Sequence, residues 1–392
     1  MKRLFINGKV ILEGGIIDDG AVLTENGYIA AVADAHSGKD AIANLINGGA
    51  DEIIEADGCY ISPGFIDTHI HGGAGYDVMD ADPGALESIA RLHMEHGCTS
   101  FLPTTLTSSK DKIKTAIINI GTLMNGEYVG ARILGAHLEG PCISLKYKGA
   151  QNPDYIAEPS VGFFEELDQG LGIIRRISMA PELRGAFETS AHFAALGVNV
   201  SIAHSDADND CVEAAARHGF SHVTHMYNGM SYISSPDFYC KTGVAESCLL
   251  SDGLSCEVIA DGKHMPKEIL KLIYKCKGLD KMLLTTDATR PAKMPEGNYE
   301  LGGLDVTVTD GVAMLSDRTS FAGSVAACDD LVRFAYKVCG FKLHEAVRMA
   351  GLNHARLIGE DSRIGSIKVG KRADIIVFDD DINIRHVSVS NI

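Results

Sequence analysis

Short apolar runs, each ending on a polar or titratable residue and followed by an amphipathic stretch, recur through the middle of this chain. The run at 99–104, Thr-Ser-Phe-Leu-Pro-Thr, leads into a helical pattern around 112–124, and runs at 131–138, 198–203, 221–224 and 282–286 repeat the strand half of the unit. Strand-helix alternation of this kind implies parallel strands. The interval 62–360 is about the size of an eight-stranded barrel, so the predicted fold class is α/β, a (β/α)8 TIM-like barrel. An open doubly wound sheet is the structural rival, but no Gly-x-Gly-x-x-Gly follows the first strand.

At both ends the pattern changes to short β-like runs broken by Gly and Asp: 3–6, 21–23, 28–32 and 52–55, then 365–370 and 373–378. Neither end carries enough strands to close a core alone. The two are therefore expected to build one small β-sandwich, giving 1–61 and 361–392 as its halves and 62–360 as the barrel.

Charge and cysteine usage restrict the setting. A formal net charge of -17 repels nucleic acid and anionic membrane surfaces, which excludes both as expected partners. No apolar stretch is long enough for a signal peptide or a membrane span. Ten cysteines lie scattered without a C-x-x-C spacing, the pattern of reduced thiols, so the expected location is cytoplasmic.

Titratable residues collect at the strand ends. Side chains two apart on a strand share a face, so the run Pro63-Gly64-Phe65-Ile66-Asp67-Thr68-His69-Ile70-His71-Gly72 presents two imidazoles to one point. Glu139 follows the 131–138 run just before Gly140-Pro141, His204 and His225 follow the next two runs, and Asp287 follows the last. In a parallel barrel these ends form one face, which carries the active site. Two His, a Glu, two further His and an Asp make a nitrogen- and oxygen-rich donor set suited to zinc, with iron, manganese or cobalt as alternatives, bound as one or two divalent ions. His264 ends another apolar run and is expected to contact substrate. His137 shares the face of Glu139 and is expected to be packed and hydrogen-bonded. His93, His96, His192, His218 and His344 lie in helix-like charged segments without chemistry.

These residues sit in blocks that carry a resemblance: His137-Leu138-Glu139-Gly140-Pro141, His204-Ser205-Asp206-Ala207, Thr224-His225-Met226-Tyr227-Asn228, Ala260-Asp261-Gly262 and Thr286-Asp287-Ala288. Over nearly its whole length the chain resembles the amidohydrolase superfamily, within it the N-acetylglucosamine-6-phosphate deacetylase branch. The resemblance implies a metal-dependent hydrolase, active as a homodimer, that removes the acetyl group from a small-molecule amino-sugar substrate. It implies Glu139, His204 and His225 as ligands of the main ion, with His69 and His71 holding a second ion that Glu139 bridges. Asp287 would be the catalytic acid/base, and Asn228 and Gly229 would meet the phosphate end of the sugar.

Two departures from that branch bear on substrate. Gln151 stands in Lys148-Gly149-Ala150-Gln151-Asn152-Pro153 where the branch has a His that polarises the acetamide, and an amide can donate a hydrogen bond but cannot carry charge. The stretch 231–243 lacks the Arg with which the branch reaches the phosphate across the dimer. Lys241, Arg290 and Lys263 are the cations on hand, and Phe238 and Tyr239 could instead stack on an uncharged sugar. Deacylation of an unphosphorylated acetamido sugar or an N-acyl amino acid, and a non-catalytic sugar-binding regulator, are the alternative readings.

Overall fold

The computed structural model describes residues 1–33, 45 and 48–390; positions 34–44, 46, 47, 391 and 392 of the two terminal segments lie outside the described residues. Eight parallel strands form the barrel: β1 (Phe65–Ile70), β2 (Cys98–Thr105), β3 (Ala136–Glu139), β4 (Ile174–Met179), β5 (Asn199–Ile202), β6 (Phe220–Val223), β7 (Ser255–Ile259) and β8 (Met282–Thr285). They pair in sequence order, and a parallel bridge between Ile70 and Ala288 joins the last to the first. Almost every strand position is buried on both faces, which is why the runs read as continuous apolar segments rather than alternating ones.

The intervening helices start where side chains can cap them. Asp82, Ser109, Ser160 and Asp208 each accept a hydrogen bond from a backbone N–H of the first turn. The helix expected around 112–124 spans Lys110–Met124. Its buried Ile113, Ile117 and Ile120 belong to the main core, which also holds Phe101, Ile177 and Val258. No helix among the described residues is long and apolar enough to cross a membrane.

Both termini meet in one seven-stranded sheet. The first strand, Lys2–Leu12, pairs with Glu52–Glu55 along its early half and with Tyr60–Pro63 along its late half. The register shifts on either side of Gly8, where a Cβ would come within 2.7 Å of Ala56; the missing side chain lets the strand bend there. Tyr60–Pro63 in turn pairs with Ile375–Phe378, and the folded sheet encloses Phe5, Val22, Ile61, Ile375 and Val377.

Two features differ from the sequence expectation. The run 365–370 is not a strand: Gly365 and Gly370 both have left-handed φ, and only Ile367 between them reaches the core of the terminal sheet. The last strand is instead Ile384–Ser388. After β8 the chain inserts a three-stranded antiparallel sheet, Gly297–Leu301, Leu304–Thr309 and Val312–Leu315, whose apolar side packs on Leu106 beside the barrel mouth.

Candidate metal centre and active site

The C-terminal ends of the barrel strands converge as expected. His69 is on β1 and His71 just after it, Glu139 ends β3, and His204, His225 and Asp287 each lie two residues beyond β5, β6 and β8. The last three have φ of 44°, 26° and 48°. Left-handed backbone costs a non-glycine residue about 1–3 kcal/mol and clusters at functional sites. Gly229 packs against this arrangement: it has φ 57°, and a Cβ there would lie 2.7 Å from His204 Nδ1.

Two triads of donor atoms result, His69/His71/Glu139 and Glu139/His204/His225, and they share Glu139. Glu139 Oε1 is 3.0 Å from His225 Nε2, 3.4 Å from His69 Nε2 and 3.6 Å from His204 Nε2. Glu139 Oε2 is 3.2 Å from His71 Nε2. The two histidine pairs are 3.1 Å and 3.3 Å apart through Nε2. Ligand bonds of about 2.0–2.1 Å in a tetrahedral zinc site put the donors about 3.3 Å from one another, so the spacing suits a metal ion.

The outer nitrogens make the same point. Nδ1 of His71, His204 and His225 faces the backbone oxygens of Thr104, Tyr147 and Asn228, at 3.3, 2.8 and 3.0 Å. His69 Nδ1 faces the Glu257 carboxylate at 2.7 Å. Each acceptor holds the proton on Nδ1 and leaves the Nε2 lone pair pointing inward, the orientation a ligating imidazole requires. The donor set therefore fits a divalent ion.

Charge agrees with geometry. Burial would raise Glu139, but His69, His204 and His225 hold its carboxyl well below the usual range. Burial likewise opposes the ionised form of Asp287, and the neighbouring His69 and His71 outweigh it and lower its pKa. Burial disfavours charge on His71 too, yet hydrogen bonding to Asp287 and Glu139 lifts it to about 9. Buried carboxylates outnumber the single guanidinium of Arg176, so this point in the barrel draws positive charge.

A cavity of 510 Å³ opens over the two triads, lined by Gln151, Asn228, Gly229, Tyr232, His264 and Phe321 among others. Gln151 donates to Glu139 Oε2 at 2.8 Å. His264 Nδ1 is 2.8 Å from Asp261 Oδ2, and the His264 ring packs on Phe321 with centroids 4.5 Å apart. Burial would raise Asp261, but the bonds from His264 keep it ionised and lower its pKa. Asp261 thereby fixes the proton on Nδ1 and leaves His264 Nε2 as an acceptor.

The sequence-nominated cations are placed elsewhere. No Lys or Arg lines the cavity among the described residues. The Arg290 fork lies on Asp80, at 2.6 and 2.9 Å. Lys241 sits on an exposed hairpin that pairs it with Ser234, with Phe238 and Tyr239 exposed at its tip. Lys263 Nζ donates to the Asp310 carbonyl at 3.0 Å. His137 is buried between Thr104 and Ser178, at 3.2 and 2.7 Å, as a hydrogen-bonded packing residue.

Three buried charges beneath the site went unnoticed in the sequence. Asp67 accepts from the His69 N–H, from Thr285 Oγ1 and from the Thr286 N–H and Oγ1, tying β1 to β8. Arg176 on β4 and Glu257 on β7 form a pair at 2.6 Å with neither side chain exposed. The available signal was a charged residue inside a strand flanked by apolar residues, as in Ser255-Cys256-Glu257-Val258-Ile259.

A barrel whose strand ends carry two triads sharing a carboxylate defines a metal-dependent hydrolase, and residues 60–391 match the amidohydrolase family: the chain belongs to that family. Within it, the chain is similar to deacetylases of amino-sugar phosphates. It is 35% identical to the N-acetylglucosamine-6-phosphate deacetylase of Bacillus subtilis, over 96% of this chain and 92% of that one. It is 32% identical to the N-acetylgalactosamine-6-phosphate deacetylase of Escherichia coli O157:H7, over 97% and 96%. A solved structure of a mutant N-acetyl-D-glucosamine-6-phosphate deacetylase from Mycobacterium smegmatis, in complex with N-acetyl-D-glucosamine-6-phosphate, superposes with a TM-score of 0.89 at 28% identity, covering 99% of this chain and 98% of that one.

Proposed function

We propose that the chain hydrolyses the acetamide of N-acetylglucosamine-6-phosphate to glucosamine-6-phosphate and acetate, with Asp287 as the proton carrier. The observation that carries the reaction class is the placement of Asp287 Oδ1 within 3.4 Å of both His69 and His71 Nε2, on the wall of the cavity. Glu139, His204 and His225 would hold one divalent ion and His69, His71 and Glu139 a second, and such an ion would supply Lewis acidity towards water and a carbonyl. Zinc suits these ligands best, and iron, manganese or cobalt share the preference.

The chain's own groups do the rest. Asp287, kept ionised by its histidine neighbours, accepts a proton from the attacking water. It then delivers that proton to the amide nitrogen as the C–N bond breaks. Gln151 offers its N–H to the acetamide side of the cavity, and His264 Nε2 accepts from a sugar hydroxyl. Asn228 and Gly229 face the far end of the sugar. The phosphate specificity is supported by the names of the relatives, and its countercharge comes from rim cations such as Lys148, beside the lining Gly149, or from a second subunit of a homodimer.

The ten free cysteines, six of them buried, suit a reducing compartment, and we place the enzyme in the cytoplasm. The deciding experiment measures acetate release from N-acetylglucosamine-6-phosphate, N-acetylgalactosamine-6-phosphate and N-acetylglucosamine by metal-analysed protein. Preference for the glucosamine phosphate supports the reading. Turnover of the free sugar alone would overturn the phosphate specificity.

A further inference from the structure

The four inward-facing imidazoles are not supported alike. His71, His204 and His225 are oriented by backbone oxygens. His69 alone is oriented by an ionised side chain, Glu257, whose Oε1 lies 2.7 Å from Nδ1.

Arg176 holds that carboxylate in place through a buried ion pair. Its Nη1 contacts Glu257 Oε2 at 2.6 Å. Its remaining N–H groups go to Ser201 at 3.1 Å, to Thr224 at 3.0 Å and to the Thr68 hydroxyl and carbonyl at 3.3 and 3.4 Å. Neither residue lines the cavity, so neither can touch substrate. An ion pair of this kind, removed from water, is expensive to keep in a barrel that hydrophobic residues could fill. A charge-assisted bond to the outer nitrogen makes an imidazole a stronger ligand.

The pair also discriminates between the two triads. Its link to His69 is side chain to side chain, whereas its contact with His225 is only to the backbone N–H, at 3.3 Å. His204 bonds to the Tyr147 carbonyl and has no bond to either residue. We infer that Arg176 and Glu257 are positioning residues that set the affinity of the His69/His71/Glu139 site for a second ion, and leave the Glu139/His204/His225 site largely to itself. This rests on the two-site reading given above.

The test removes the charge while keeping an acceptor for His69. In Arg176→Met/Glu257→Gln the Gln oxygen can still accept from His69 Nδ1. Its NH2 can donate to His222 Nε2, which lies 3.5 Å from Glu257 Oε2 and has no hydrogen-bond partner of its own. Parent and variant are dialysed against graded, chelator-buffered zinc, and bound zinc is counted by mass spectrometry, with thermal unfolding of the chelated proteins as the control for folding. The parent should hold two ions. The variant should hold the tighter ion unchanged and bind the second roughly 10–100-fold more weakly. Arg176→Lys keeps the charge without the fork, and should weaken the second ion alone by less. If the double variant does not fold, that single variant decides.

Equal loss of both ions, or an unchanged second affinity, would overturn the inference. A parent that binds one ion at every zinc concentration would overturn the two-site reading first and the inference with it. Since the readout is stoichiometry at each site, a general loss of packing would not reproduce the expected split.

Discussion

The Gln151 side chain donates to Glu139 Oε2 at 2.8 Å while its own oxygen accepts the Thr107 N–H at 2.7 Å. The Thr107 contact fixes which end of the amide faces inward, so the donor meets the carboxylate that both triads share. Gln151 is thereby a neutral donor already aimed into the site. Gln151→Ala should lower kcat/KM about 10–100-fold at saturating metal, the usual effect of losing a partner of a ligand. Acetate release checks this, and an unchanged value would remove Gln151 from the reaction.

Asp287→Asn should retain metal and lose turnover by about 10²–10⁴-fold, because an amide cannot accept the water proton. Metal analysis beside steady-state rates separates this from loss of the ions. A variant that keeps both its metal and its rate would take Asp287 out of the proton-transfer step.

Arg290 is committed to Asp80 rather than to the cavity. Arg290→Met should therefore leave KM for the phosphorylated sugar within roughly twofold. It should cost no more than about 1 kcal/mol of stability, since Asp80 is exposed and an ion pair of that kind contributes little. A large rise in KM at unchanged stability would return Arg290 to substrate binding.

Asp77 predicts a pH effect outside the site. Burial raises its carboxyl to about 6, against the opposing bond from the Met79 N–H and the charge of Arg290, and its Oδ2 has no partner. A raised carboxyl pKa means that the native state binds the proton more tightly than the unfolded chain does. Its contribution is favourable below pH 4 and is lost as pH rises towards 6, beyond which the penalty is constant. Asp77→Asn removes that ionisation. It should match the parent near pH 4 and exceed it by up to about 3 kcal/mol above pH 6. Denaturant unfolding at pH 4 and 7 checks the difference, and a gap of the same size at both would exclude ionisation as the cause.

The barrel and its candidate ligands were legible because several strands are apolar runs that lead to a titratable residue: Ile202 to His204, Val223 to His225, Thr285 to Asp287. Periodicity does not reveal a charge placed inside such a run. Glu257 and Arg176 read as breaks in strand patterning because their partners come from other strands, 81 residues apart. The sheet over 297–315 was missed for a different reason. Its alternating pattern, half exposed at Asn298, Glu300 and Asp305, sits where a barrel unit should supply a helix, and expectation of the larger repeat masked it. The nominated cations failed to reach the cavity because proximity along the chain, Arg290 to Asp287 or Lys263 to His264, says nothing of which acid a guanidinium or ammonium will find first.

The pairing of Tyr60–Pro63 with Ile375–Phe378 has a consequence for synthesis. During translation the opening strands leave the ribosome long before their partner exists, and at about 5–20 residues per second the wait is roughly 15–60 s. The barrel can assemble in that interval, while the first segment holds an open edge that only a segment made much later will cover. A stalled or truncated nascent chain would therefore expose a sticky β edge beside an otherwise finished catalytic body, and quality control would meet it there first.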